Sequence, residues 1–296
     1  MDIIKAIILG LVQGATEFLP VSSSGHLSLF QHFLGVTGEG SLLFSVMLHL
    51  GTLAAVIIVY YQTIWELFLE AIKLIGDIIH RKFKFKKMSE TRRMLVMLFV
   101  SCIPLLFLLI PTGDEMILLD RVSVFSEDSS ILAEGVCFLF TAVLLILSSY
   151  LSGGKRLRKK VNTLDAGAIG VAQALAAALP GVSRSGATIS TGLICGVSKQ
   201  YIVKYSFILG IPAILAANAV EFKQAYEMGE TIDPVPLLFG VITAAVFGVF
   251  CIKLLKWLLK KDMFKYFGYY CIIIGVITII IAIIEKLSGA YIGIQQ

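Results

Sequence analysis

The sequence predicts an all-α polytopic membrane protein, with about six transmembrane helices and two re-entrant, broken-helix hairpins arranged as an inverted-topology repeat. Three observations predict it: the composition, the distribution of loop charges, and two interrupted segments that resemble each other. Of 296 residues, 57% are hydrophobic and only 15% charged, against about 25% charged in ordinary soluble domains. Mean hydropathy is +0.90. A soluble chain of this size cannot hide so much apolar surface, and the same figures exclude disorder and coiled coil. At about 20 residues per span, the chain has room for at most about eight or nine crossings.

Six segments read as ordinary spans: 42–61, 94–110, 131–151, 205–220, 237–255 and 267–284. The stretch 66–79 carries Glu66, Glu70, Lys73 and Asp77, so it reads as an interfacial helix or an extension of its neighbour. Loop charges set the orientation. The loop 80–93 holds Arg81, Lys82, Lys84, Lys86, Lys87, Arg92 and Arg93 against Glu90 alone. Five Lys and Arg residues lie in 152–163 with no acid, and Lys253, Lys256, Lys260, Lys261 and Lys265 surround Trp257. These three regions are assigned to the cytoplasm. The acid-rich loops 112–130 and 221–236 are assigned outside. The net charge of +5 therefore reports membrane orientation, and nucleic acid is not an expected partner. The five cysteines lie in apolar stretches without a CxxC pair, and read as small buried hydrophobes. The N-terminal Met1-Asp2-Ile3-Ile4-Lys5 lacks a basic n-region and reads as mature protein.

Residues 1–34 and 164–197 resist the span reading. The first is interrupted by Gln13-Gly14-Ala15-Thr16-Glu17-Phe18-Leu19-Pro20-Val21-Ser22-Ser23-Ser24-Gly25-His26, the second by Pro180-Gly181-Val182-Ser183-Arg184-Ser185-Gly186. The charge-derived topology requires each segment to enter and return on one side. Gln13 precedes Pro20 by seven residues, as Gln173 precedes Pro180. Ser22-Ser23-Ser24-Gly25 then matches Ser183-Arg184-Ser185-Gly186, one residue further on. Each hairpin is followed by three spans. The chain is thus one membrane domain, 1–296, with a first repeat 1–151 (hairpin 1–34) and a second repeat 164–284 (hairpin 164–197). Such repeats place their site where the broken helices meet.

Glu17 and Arg184 are the two charges embedded in the interruptions, where an unpaired charge costs about 2.5–3.5 kcal/mol on insertion scales. One reading is a structural ion pair that joins the repeats. The surrounding hydroxyls of Ser22, Ser23, Ser24, Ser183, Ser185 and Thr188 support a second, an oxyanion site. Arginine offers a fork of donors matched to phosphate oxygens, and helix N-termini favour anions. Any single serine here also reads as a helix cap. His26 follows the serines with Glu17 in the same hairpin, so nucleophile, base and orienter can come from one segment. His49 reads as a helix–helix hydrogen-bonding residue, and Gly240 and Gly248 as contacts within the monomer rather than between copies. Walker, dinucleotide and HExxH patterns are absent, so the substrate is expected to bring its own phosphate and to be lipid-soluble.

These two motifs resemble the signatures of undecaprenyl-pyrophosphate phosphatases of the bacitracin-resistance type, over nearly the whole chain. The resemblance implies an inverted-repeat membrane fold in the bacterial plasma membrane. It also implies removal of the terminal phosphate from undecaprenyl pyrophosphate, recycling the lipid carrier of peptidoglycan synthesis. Frequent homodimers and dependence on a divalent cation, Mg²⁺ or Ca²⁺, come with it. Carried over by position, Glu17 matches the essential acid and the expected metal ligand, Ser23 the nucleophile, His26 the essential histidine and Arg184 the arginine of the second motif. Ser22, Ser24, Gly25, Ser183, Ser185, Gly186, Thr188 and Gln13 complete the expected pyrophosphate-binding set. Gln13 stands where many members have a second Glu, and Ser24 where some have Thr. The expected chemistry has Ser23 attack phosphorus with His26 as its base; water or His26 as nucleophile is the alternative. The rival class is a transporter, an anion carrier or polyprenyl-phosphate flippase, which would use the same arginine but needs no Ser–His pair beside a carboxylate.

Overall fold

The computed structural model describes residues 2–36, 40–81, 88–108, 131–152, 160–179 and 181–289, together with residues 110, 118 and 292. Ten helices occur among them: α1 (Ile3–Thr16), α2 (Ser23–Leu34), α3 (Ser41–Ile79), α4 (Glu90–Phe107), α5 (Leu132–Ser152), α6 (Thr163–Ala178), α7 (Arg184–Ile194), α8 (Lys199–Glu227), α9 (Pro234–Lys260) and α10 (Phe264–Ser288). Most of the acidic loop 112–130 and of the basic loop 152–163 lies outside the described residues, as do residues 82–87 of the basic loop 80–93 and Pro180.

Five helices, α3, α5, α8, α9 and α10, are long and apolar enough to cross a membrane. The protein is a multi-pass membrane protein. The expected span 94–110 falls on α4, whose first turn also takes in Glu90, Arg92 and Arg93; this helix does not join the five by length and composition. The expected spans are also longer in the structure than their apolar cores. In α3 the expected span 42–61 and the stretch 66–79 form one 39-residue helix, kinked where Tyr60 leaves helical geometry at φ −116°. At 1.5 Å per residue this is about 58 Å, nearly twice a hydrocarbon core of about 30 Å. Its charged end is held by Arg92, which donates to Glu70 at 2.5 Å and to Asp77 at 2.6 Å.

The two hairpins are α1–α2 and α6–α7. Their helices contain 14, 12, 16 and 11 residues, or about 17–24 Å each, too short for a full crossing. Helix packing follows the repeat. α1 lies along α9 and its counterpart α6 along α4, while α5 pairs with α10 and α3 with α8. These contacts map onto one another when the first five helices are exchanged for the last five.

Close approach at these crossings depends on small residues. A Cβ at Gly14 would come within 2.6 Å of the Ala244 carbonyl oxygen on α9, so α1 and α9 meet backbone to backbone. Gly240 faces Phe44 and Leu48, and Gly248 faces Ala55 and Phe18. Both glycines of α9 therefore pack inside the monomer, as expected. The interior beside the first hairpin is aromatic, with Phe18 edge-on to Phe207 at 5.3 Å.

Candidate active site at the meeting of the two hairpins

Each hairpin breaks in the same way. In the first, α1 stops at Thr16 and α2 starts after Ser22, whose Oγ accepts the Gly25 N–H at 3.2 Å. In the second, α7 starts after Ser183, whose Oγ accepts the Gly186 N–H at 3.0 Å. A serine oxygen satisfies one of the orphan N–H groups of each new helix. A second serine sits beside each cap, Ser24 at 3.4 Å from Ser22 and Ser185 at 3.3 Å from Ser183. The two turns touch, since the Gly181 N–H donates to Ser24 Oγ at 3.2 Å. The Ser183 N–H donates to Thr141 on α5 at 3.1 Å.

The capping reading of Ser22 and Ser183 is thus correct, and it leaves Ser23 and Arg184 as the first residues of α2 and α7. The break after α1 also has a cost. Ser22 adopts φ 73°, ψ 101°, a region disfavoured for a side chain with Cβ and worth about 1–3 kcal/mol of strain. The second hairpin places its left-handed residue at Gly181 instead, at φ 100°.

Glu17 is the centre of the site. It is buried, and its Oε1 pairs with the Arg184 guanidinium from the other hairpin. Its Oε2 accepts the Ser23 hydroxyl at 2.7 Å and the Gln13 amide at 3.1 Å. His49 Nε2 lies 3.8 Å from the same oxygen. The structure therefore brings Glu17, Ser23, Arg184 and Gln13 together, and the ion pair that joins the two hairpins is present. Gly210 on α8 makes room for the arginine, because the guanidinium occupies the space that a Cβ would need there. Thr188 lies one turn beyond Arg184 on α7, bonded to the Arg184 carbonyl at 2.9 Å and to Ser206 at 2.6 Å. It braces α7 against α8, and its hydroxyl is not directed at Glu17.

One expected pairing is corrected. His26 does not bond Ser23. Its Nδ1 lies 2.7 Å from the Ser22 carbonyl oxygen and its Nε2 lies 2.7 Å from the Tyr270 hydroxyl on α10. Ser23 turns across the break toward α1, while His26 turns back onto its own cap and outward to α10. Sequence reasoning also placed His49 as a helix-packing residue. Its Nδ1 bonds the Ser45 carbonyl within α3 at 2.9 Å, and its other nitrogen faces Glu17. Tyr270, Thr141 and Gly210 were missed, since each comes from a distant helix with no local motif around it.

The donor set suits a hard cation in part. The Gln13 Oε1 is buried with no hydrogen-bond partner beside the Glu17 carboxylate, and amide and carboxylate oxygens are ligands that Mg²⁺ and Ca²⁺ accept. Among the described residues no group of three or more His, Cys, Asp or Glu side chains forms a metal cage. A cation here would need the phosphate oxygens of a substrate to complete its shell, the usual arrangement for Mg²⁺.

A family model described as bacitracin resistance protein BacA matches residues 6–277. The chain belongs to this family. Curated relatives extend the match to nearly full length. An undecaprenyl-diphosphatase of Alkaliphilus metalliredigens is 37% identical, over 96% of this chain and 100% of the relative. One of Methanosphaera stadtmanae is 38% identical, over 96% and 99%. Another, of Methanobrevibacter smithii, is 40% identical over 94% and 97%.

Proposed function

We propose that this chain is an undecaprenyl-diphosphate phosphatase. It hydrolyses the pyrophosphate lipid to undecaprenyl phosphate and inorganic phosphate in the bacterial plasma membrane, recycling the carrier for peptidoglycan synthesis and giving bacitracin resistance. Family membership and the names of the relatives support the activity. The observation that carries the mechanism is the chain of contacts from the Ser23 hydroxyl through Glu17 to Arg184, which joins the two hairpins at one point.

In this mechanism Arg184 turns part of its donor fork onto the terminal phosphate, offsetting charge on the transferring group. Glu17, relieved of part of that pairing, takes the Ser23 proton while Ser23 Oγ bonds to the terminal phosphorus. The bridging P–O bond breaks, and the leaving lipid phosphate receives the proton from Glu17. Glu17 then deprotonates a water that attacks the phosphoserine, and Ser23 leaves with a proton regained. Glu17 and Gln13 would hold a divalent cation, Mg²⁺ or Ca²⁺, which supplies neutralisation of the pyrophosphate charge. The remaining polar groups of the two turns, Ser24 and Ser185 among them, orient the phosphates. No observation favours the flippase or anion transporter. Homodimer formation, implied by the resemblance, belongs to the proposal and is read from the mass of the purified particle.

The test is phosphate release from undecaprenyl pyrophosphate by detergent-purified protein, with and without EDTA, for the wild type and Glu17→Ala. Release that requires both Glu17 and added cation is expected. A folded, monodisperse wild type that releases no phosphate with excess Mg²⁺ or Ca²⁺ would overturn the enzyme reading.

A further inference from the structure

His26 is buried in the first turn of α2, and three groups fix its ring. The Ser22 carbonyl oxygen can only accept, so Nδ1 carries the hydrogen of that 2.7 Å contact. In the neutral ring Nε2 is then an acceptor, and the Tyr270 hydroxyl at 2.7 Å is its donor. The Tyr270 ring also lies parallel to the imidazole, 5.6 Å away at 7°, and Phe138 meets it edge-on at 4.8 Å.

The geometry points to Tyr270 as a positioning residue for the nucleophile, acting through His26. Ser22 carries the positive φ of the break, and its carbonyl oxygen accepts two bonds from His26, the Nδ1–H and the backbone N–H at 3.2 Å. These two bonds hold the strained peptide that presents Ser23 to Glu17. The Ser22 carbonyl keeps the hydrogen on Nδ1, and the Tyr270 hydroxyl, donating to Nε2, holds the opposite edge of the ring so that the Nδ1–H stays aimed at that carbonyl. With that donor gone, the ring is held at one edge only, it tilts, and the Nδ1–H bond to the Ser22 carbonyl weakens. Tyr270 belongs to α10, 244 residues away, so the last helix of the second repeat sets the turn of the first. This inference rests on the phosphatase reading and adds a residue to it.

Two measurements test it. The first is turnover of Tyr270→Phe, which keeps the ring and its stacking while removing the hydroxyl. The expected result is a fall in kcat of about ten- to a hundredfold, the scale known for loss of the group that orients a metal-bound histidine, with KM and Tm near wild type. In a His26→Ala background the same change should have no further effect. Wild-type turnover in Tyr270→Phe, or an equal loss with and without His26, would overturn the inference. The second measurement reads the wild type alone, by nitrogen NMR of histidine-labelled protein with the His26 signal assigned from His26→Gln. A hydrogen on Nδ1 and a hydrogen-bonded, unprotonated Nε2 are expected, and a hydrogen on Nε2 would overturn the inference even if no Tyr270 variant folds. Loss of phosphate release by the wild type would instead fail the phosphatase reading, and the NMR result stands apart from it.

Discussion

The two hairpins share a scaffold and divide the chemistry. Both cap their second helix with a serine bonded to the glycine three residues on, and both carry a second serine beside the cap. Where the first repeat has Glu17, Ser23 and His26, the corresponding positions of the second are Ala177, Arg184 and Ala187. One turn supplies the carboxylate, hydroxyl and imidazole; the other supplies the cation. In the proposed mechanism neither half alone can hold a pyrophosphate and attack it. The buried glutamines show the same division. Gln13 donates to Glu17, whereas both amide atoms of Gln173 are buried with no partner, because the residue one turn on is an alanine.

The sharpest way to break this comparison is at its centre. Glu17→Gln keeps the shape but removes the charge that pairs Arg184 and accepts from Ser23. Turnover should fall about a thousandfold, within the range for loss of a general base, as read by phosphate release. A loss below tenfold would move the base elsewhere. Thermal unfolding should register the change as well, because a buried partner removed from its ion pair typically costs about 3–5 kcal/mol.

Gly210→Ala tests whether the second repeat contributes only through the placement of its arginine. The new methyl group claims the space of the guanidinium. A displacement of about 1 Å is worth about a hundredfold in rate, and that fall is expected with Arg184 itself intact. Near-normal kcat would show that Arg184 reaches its position by another path.

Ser22→Gly separates strain from function. Glycine accepts φ 73° freely, and loss of a serine cap to glycine costs only a few tenths of a kcal/mol. Tm should hold or rise, while kcat falls about tenfold as Ser23 gains freedom. A parallel fall in Tm and kcat would contradict the strain account.

The smallest effect is expected at the unpartnered amide. Gln173→Leu removes two buried, unsatisfied polar atoms, each worth about 1–3 kcal/mol of desolvation. Stability should rise by about 1 kcal/mol with activity within twofold, whereas Gln13→Leu should cost activity at least tenfold, about the value of a hydrogen bond to a charged group. Equal responses at the two positions would erase the functional difference between the repeats.

Much of this was legible in the residues. Composition and the apolar runs identified a helical membrane protein, because spans need long stretches without charge. Pro20, the serines and the glycines located the broken helices, since caps and breaks act over three or four residues. The charges of Glu17 and Arg184 marked the site because charge is costly at membrane depth. The reach of α3 was less legible: the 39-residue helix continues through charged residues that Arg92 neutralises from the next helix. The partner of Ser23 was not legible either. His26 is near it in sequence, but the break between α1 and α2 turns the hydroxyl to Glu17 and the imidazole to Tyr270.

The sequence by itself determined the class of the molecule, the position of both breaks and the kinds of group available for chemistry, because these depend on composition and on contacts within a few residues. Only the tertiary structure decided which of those groups meet. The pairing of Glu17 with Arg184, the space left for Arg184 by Gly210 and the bond from Tyr270 to His26 join residues on different helices, the two hydrogen-bonded pairs 167 and 244 positions apart. They are set by the packing of helices across the two repeats, a property of the whole chain that no local pattern encodes.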